Sequence, residues 1–383
     1  MHIVHILTRM LRAGSEENIL LTSAGQIAAG DEVTLIYGAD STPALAQKLA
    51  PKARLIEIPP MVRPIHPLKD IAAYRQIRST LQNLRPDVVH THQSKAGILG
   101  RFAAQSAAVR CIVHGVHILP YIGTSGLKRK LYLAAERAAD RITDGYIHVS
   151  NGMFNGCRDH GIGQQVPHKV VHSGFDLARF RDAPPADDAA EILGAHCSDP
   201  PPMVLLMMAA LEGRKRHLEL MTALAPLIRQ QPRIRLLFAG EGPLAAPIRH
   251  RAEQLGIAGS VRLLGYRPDV ERIIALSDIC LLSSGQEGLP RSVLQYLVSA
   301  KPVVLFDLPG LGEVITPNRN ALVIQPDDWA GFGKAVQELV GNPQRRQNLS
   351  DQAARTDLSN WDWTVMGRQT TAFYRSLQKE AQP

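Results

Sequence analysis

The segment "EGLPRSVLQ", residues 287–295, sets a carboxylate, Glu287, just ahead of a helix-opening pattern and an amide, Gln295, eight positions on. Proline is favourable at the first position of a helix, because the N–H it lacks had no partner there. Pro290 therefore marks a predicted helix start, with the body running to about Ala300. The amides of Arg291 and Ser292 would face outward at that N-terminus, where unpaired N–H groups and the helix dipole suit a phosphate. Glu287 has two readings at this point: a carboxylate for a polar ligand, or a charge that complements the dipole.

A second segment, "AALEGRKRHLEL" (209–220), repeats the plan: a strand ends near Ala210, a turn follows, and Lys215 stands close to a helix start. Arg214, Lys215 and Arg216 are consecutive, so only one or two can face one site. A basic group there could neutralise a diphosphate leaving group; the alternative is a solvated basic turn. In "LRAGSEEN" (11–18), Gly14 would let a phosphate or sugar approach the backbone, or simply serve the turn. "VVHTHQSKAG" (88–97) and "VHGVHILPY" (113–121) end two strands in histidines. His90 and His92 share one strand face and could ligate a metal, but no third ligand of suitable spacing declares itself. A polar lip above a sheet is the favoured reading.

The elements that must position these groups alternate short apolar runs with longer helical patterns, the signature of α/β layering. "HIVHIL", "EVTLIYG", "ARLIEI", "DVVHTH", "CIVHGVH", "GYIHVS" and "KVVHSG" read as strands of a first half. "MVLLMMAAL", "IRLLFAGEG", "VRLLGY", "ICLLSS" and "PVVLFD" read as strands of a second. The proline-rich, acidic stretch 181–202 has linker composition. Each half suffices for its own doubly wound parallel sheet, with ligands at the carboxyl ends of the strands and a cleft between the two.

Composition narrows the classes. The chain has 383 residues, 45% hydrophobic and 20% charged, which is globular and of two-domain length. No apolar run reaches the ~18 residues of a membrane span, and the N-terminus lacks signal-peptide architecture, so a cytoplasmic protein is expected. Cys111, Cys157, Cys197 and Cys280 are scattered, against a disulfide framework or structural zinc. The net charge of +8 favours an anionic partner. Nucleic acid is disfavoured, since aromatics are only 5% and no nucleic-acid module appears.

Taken in order, "VVHTHQSKAGILGRFAA", "VHGVH", "KVVHSGFDLARF", "FAGEGP", "VRLLGY", "SDICLLSSGQEGLP", "AKPVVLFD" and "NALVIQPDD" resemble glycosyltransferase family 4, in particular its bacterial envelope-polysaccharide and lipopolysaccharide members. The resemblance implies a GT-B fold: two Rossmann-like parallel-sheet domains facing a central cleft. Expected boundaries are 1–180 for an acceptor-side domain and 203–360 for a nucleotide-sugar domain, with 361–383 as a C-terminal helix packing back on the first. It also implies retaining transfer of a sugar, from a UDP-sugar in the first instance, to a hydroxyl of a glycan or lipid-linked acceptor. His117, Glu287 and Lys215 fall at catalytic positions. Gly14, Arg214, Lys215, Tyr266, Glu287, Gly288, Leu289, Arg291, Ser292 and Gln295 fall at nucleotide-sugar positions.

The chain departs from the family pattern at several points. Gln295 replaces the second of two glutamates, Ala13-Gly14 stands where Gly-Gly is common, Ala210 where arginine is common, and Ile118 follows His117 where glycine is common. Glutamine can still hold a ribose diol, accepting through Oε1 and donating through Nε2. No cofactor or metal is expected, the diphosphate being held by Lys215 and helix N-termini. The rival reading is a nucleotide-sugar-binding protein or epimerase without transferase activity. Basic residues 128–130 open the helical pattern "GLKRKLYLAAERAADR" (126–141), in which Leu127, Leu131 and Ala134 align as a packing face. Its basic end could also touch an anionic membrane surface at the inner face of the cytoplasmic membrane.

Overall fold

The computed structural model describes the chain except residues 12–13, 120, 122–123, 195–200, 286, 288–289, 309 and 381–383. The chain forms two compact units: Met1–Phe175 with Ser359–Pro383, and Asp176–Leu358.

Unit 1 is built on a parallel sheet of β1 (His2–Leu7), β2 (Glu32–Gly38), β3 (Arg54–Ile58), β4 (Val88–His92), β5 (Ile112–Val116), β6 (Gly145–His148) and β7 (His168–Val170), ordered β3-β2-β1-β4-β5-β6-β7. Every residue of β4 and β5 is buried, as expected where helices cover both sheet faces. The last helix, Trp363–Glu380, lies against helix Gly14–Ala28. The two cross where glycine meets glycine: a Cβ added to Gly25 would stand 3.4 Å from Gly367 Cα. Phe373 and Leu377 then fill the space left open by Gly145.

Unit 2 repeats the architecture with β8 (Met203–Met208), β9 (Ile234–Ala239), β10 (Val261–Gly265), β11 (Ile279–Leu282), β12 (Val303–Phe306) and β13 (Leu322–Ile324), ordered β10-β9-β8-β11-β12-β13. Leu205, Met207, Phe238, Leu281 and Phe306 from the strands close a core with Leu224 and Ile228 of helix His217–Gln230 and Phe332 of helix Trp329–Gly341.

Several sequence expectations change. The composition of 181–202 reads as a tether, yet its described part carries helix Ala189–Leu193 and is pinned to unit 2. Arg267 forks onto Asp188 (2.6 and 2.9 Å), and Arg272 pairs with Asp187. The helix expected from Pro290 begins instead at Arg291 and ends at Val298, with Pro290 as an extended cap. In helix Gly126–Asp140 the expected packing face is turned outward: Leu127 and Leu131 are 72% and 62% exposed, and the buried positions are Glu136 and Ala139. Glu136 faces inward because it neutralises buried Arg101 (2.6 Å). Cys111, Cys157 and Cys280 are buried free thiols, and burial pushes their pKa values up to about 12, 11 and 12. Cys197 lies outside the described residues.

Candidate functional site

In unit 2, β8 and β11 are neighbours, and the strand order reverses between them, with β9 and β10 to one side and β12 and β13 to the other. Loops leaving the carboxyl ends of strands at such a switch point form the ligand crevice of a doubly wound sheet. The loop after β8 contains the 3₁₀ turn Gly213–Lys215, and the loop after β11 contains Glu287. Ser283 Oγ donates to the Lys215 carbonyl (2.9 Å) and the Gly285 amide to the Arg214 carbonyl (2.9 Å), stitching the loops together. Arg216 adopts φ 59°, in the left-handed region, to turn the chain into helix His217–Gln230.

That stitching brings Lys215 Nζ onto Glu287 Oε1. Arg214 Nη1 reaches Glu287 Oε2 at 3.4 Å while its Nε holds Glu212 (3.0 Å), and Arg216 turns away to Asp327. Lys215 is only 8% exposed. Burial lowers its pKa, and the Glu287 carboxylate opposes that shift. His217, two residues on, is buried edge-to-face against Phe238, and burial followed by the Lys215 charge lowers its pKa to about 4.

Helix Arg291–Val298 is fixed against β8 by Tyr296, whose hydroxyl accepts from the Met208 amide at 2.7 Å. Val293, Leu294, Tyr296 and Leu297 are buried, which leaves half-buried Arg291, Ser292 and Gln295 on one shared face, three and four residues apart. Gly288 and Leu289 lie outside the described residues. Tyr266 follows β10, two strands from β8, and is 41% exposed.

In unit 1 the switch point falls between β1 and β4. Gly14 is exposed at the start of its helix. Gln93, with φ 61°, locks this corner: its Oε1 accepts from the Thr8 amide (2.9 Å) and its Nε2 donates to Glu16 (3.0 Å). Neither Gln93 nor Glu16 stood out in the sequence, since their partnership spans 77 residues.

His117 lies one residue past β5, and its Nε2 is 3.0 Å from His92 Nδ1. The parallel register sets His5 of β1 opposite His90 of β4, supplying a third imidazole that local spacing did not reveal. His5, His90 and His92 each place one ring nitrogen within 4.8 Å of the others. However, His5 Nδ1 and His92 Nε2 are 2.9 Å apart, a hydrogen bond sharing one proton. Two imidazole nitrogens on one tetrahedral ion, each ~2.1 Å from it, would stand ~3.4 Å apart. As built, the cluster is joined by protons. Gly115 makes room for it, since a Cβ there would meet His90 Nε2 and His92 Nδ1 at 2.8 Å each.

Two doubly wound parallel sheets of this kind define the GT-B class of glycosyltransferases. The chain superposes with a TM-score of 0.81 on Anabaena Alr3699/HepE, solved in complex with UDP and glucose, at 17% identity over 98% of this chain and 99% of that one. With sucrose-phosphate synthase of Thermosynechococcus elongatus the TM-score is 0.82, at 17% identity over 100% of both chains. These likenesses show the fold.

The family follows from the sequence. Residues 13–179 match the family described as Glycosyltransferase Family 4, and residues 190–356 match Glycosyl transferases group 1. The chain belongs to glycosyltransferase family 4 and is a glycosyltransferase. It is 28% identical to the Escherichia coli UDP-Gal:alpha-D-GlcNAc-diphosphoundecaprenol alpha-1,3-galactosyltransferase over 297 residues, 76% of each chain. It is 23% identical to the Campylobacter jejuni N,N'-diacetylbacillosaminyl-diphospho-undecaprenol alpha-1,3-N-acetylgalactosaminyltransferase, over 82% of this chain and 84% of that one.

Proposed function

We propose that the protein moves a hexosyl group from a UDP-sugar to a hydroxyl of a lipid-linked or glycan acceptor in cell-envelope polysaccharide synthesis, with retention at the anomeric carbon. The observation that carries this reading is the buried Lys215–Glu287 pair at the switch point of unit 2. A diphosphate arriving there offers Lys215 a stronger anionic partner than one carboxylate, and frees Glu287 toward the donor sugar. The relatives named above act on diphosphoundecaprenol-linked sugars, which supports the acceptor class.

Glu287 is engaged by two cations, a poor arrangement for a covalent nucleophile. We favour same-face attack, with the leaving diphosphate taking the acceptor's proton. His117 is proposed as a contact to the sugar. Lys215, Arg214 and the N-terminus of helix Arg291–Val298 supply the charge a metal would otherwise bring, so transfer is proposed to be metal-independent. A panel of nucleotide sugars should contain one that raises Tm, and that donor should release UDP only when a lipid-diphosphate sugar is added, equally with and without EDTA. UDP release that ignores the acceptor, or that EDTA abolishes, would overturn this reading.

Glu287 and Gln295 should separate kinetically. Glu287→Gln lowers kcat by ~100-fold, because a group at the reacting sugar acts through position and charge in the transition state. Gln295→Ala removes neutral hydrogen bonds of ~1 kcal/mol, so KM for the donor rises about 5-fold with kcat nearly unchanged. An unaltered kcat in Glu287→Gln would remove it from the site.

The outward leucines bear on where the enzyme works. Leu127 and Leu131 are exposed beside Lys128, Arg129 and Lys130, and Ile118 is 68% exposed. Among the described residues no helix is long and apolar enough to cross a membrane. We propose peripheral binding at the cytoplasmic face, where each basic residue contributes ~1 kcal/mol against anionic lipid. Changing all three basic residues to Gln should abolish co-sedimentation with phosphatidylserine vesicles at low salt. Equal sedimentation of parent and variant would leave the helix with a structural role only.

A further inference from the structure

A buried file of side chains leads from the core of unit 1 to His117. Gln26 Oε1 lies 2.8 Å from His5 Nε2, His5 Nδ1 lies 2.9 Å from His92 Nε2, and His92 Nδ1 lies 3.0 Å from His117 Nε2. Gln26 and His5 are fully buried and His92 is 2% exposed. Each histidine in the middle of the file uses both ring nitrogens, so no proton position in it is independent of the next.

The amide oxygen sets the direction. A carbonyl oxygen only accepts, so with the Gln26 amide in this orientation His5 Nε2 carries a proton. A neutral imidazole has one N–H, so His5 Nδ1 is bare and His92 Nε2 must donate to it. His92 Nδ1 is then bare in turn, and His117 Nε2 must donate. Neutrality is imposed by the surroundings: burial brings His5 and His117 to about 4 and holds His92 well below its ordinary value. Among the described residues no protein group bonds the remaining nitrogen, His117 Nδ1.

We propose that Gln26, His5 and His92 are positioning residues that hold His117 as its Nε2–H tautomer, leaving a bare Nδ1 to accept a hydrogen bond from a hydroxyl of the bound sugar. This rests on the reading of His117 as a sugar contact, and it specifies what that contact can be. The site takes a hydroxyl donor at this point, and discriminates against a sugar that is deoxy or O-alkylated there, which leaves the nitrogen without a partner. The register explains why the file exists at all. β1 and β4 pair directly, β4 and β5 pair with His92 opposite Gly115, and the missing Cβ lets the two rings meet.

The test uses the full-length, unliganded chain, uniformly labelled with ¹⁵N. Two-bond ¹H–¹⁵N correlation spectra distinguish a protonated from a bare ring nitrogen, with the His117 pattern assigned by its loss in His117→Gln. The parent should show His117 protonated at Nε2 and bare at Nδ1. Gln26→Met keeps the length and removes the acceptor that sets the direction. It should show His117 averaging between tautomers, with kcat down about 10-fold, the scale of one transition-state hydrogen bond, and KM little changed. Thr91→Val, which removes a buried bond to His114 outside the file (2.9 Å), should lower Tm and leave both the His117 spectrum and kcat as in the parent. The reverse tautomer in the parent overturns the proposal, as does an unchanged His117 pattern in Gln26→Met or stoichiometric zinc on the parent's histidines. If Gln26→Met does not fold, the parent spectrum alone decides. Should no nucleotide sugar support turnover, the functional reading fails while the spectra still judge the file.

Discussion

Lys215→Ala lowers kcat/KM by at least ~100-fold, the usual scale for removing a charged contact to a developing anion, while Arg214→Ala costs less than about 10-fold. The two residues are adjacent and both reach Glu287, yet they differ in surroundings. The Lys215 side chain is 11% exposed and the Arg214 side chain 49%. Charge interactions weaken as water enters between the partners, so the buried ammonium should dominate. The Lys215→Ala variant also leaves Glu287, whose side chain is 12% exposed, without its nearest cation. Lys215→Arg should recover little, because a planar fork does not fit the space of a single ammonium. Steady-state kinetics on the three variants decide the matter. An Arg214→Ala loss exceeding that of Lys215→Ala would move the phosphate contact by one residue.

Unit 1 should unfold in mild acid before unit 2 does. His5, His90, His92 and His114 are all buried in its central strands, and burial lowers every one of their pKa values. A histidine near 4 when folded and 6.5 when unfolded gives the unfolded chain the greater proton affinity. Stability is therefore complete above about pH 6.5 and is lost as pH falls toward 4. At pH 5 each such ring costs ~2 kcal/mol, so even two cost ~4 kcal/mol, against a total stability of roughly 5–15 kcal/mol. Against these four, unit 2 has His217, whose pKa burial also brings down. Trp361 and Trp363 belong to unit 1 and Trp329 to unit 2, so a Trp329→Phe variant makes tryptophan fluorescence a reporter of unit 1. Its Tm should drop steeply between pH 6.5 and 5. A flat Tm across that range would mean the rings are not held neutral.

What the sequence determined by itself was everything that repeats locally. β1 and β2 stand at the bounds of "HIVHIL" and "EVTLIYG", because a strand covered on both faces is a continuous apolar run between turn residues. The three-residue β13 escaped the same reading, being too short to show a period. Lys215 and Glu287 could each be singled out, since a charge beside a helix start follows a strand in both segments. The tertiary structure made them partners. They are 72 residues apart in the chain, and only the pairing of β11 with β8 puts their loops side by side. The same holds for His5, which no spacing linked to His92 until β1 and β4 came into register. The leucines of helix Gly126–Asp140 show the converse. Their spacing describes an apolar stripe correctly, but spacing cannot say which way the stripe faces. That was decided by burial of Arg101, whose charge required Glu136 inside and so turned the helix about its axis. Local pattern specifies elements, whereas partners and orientation depend on strand order and on which charges must be neutralised in the core.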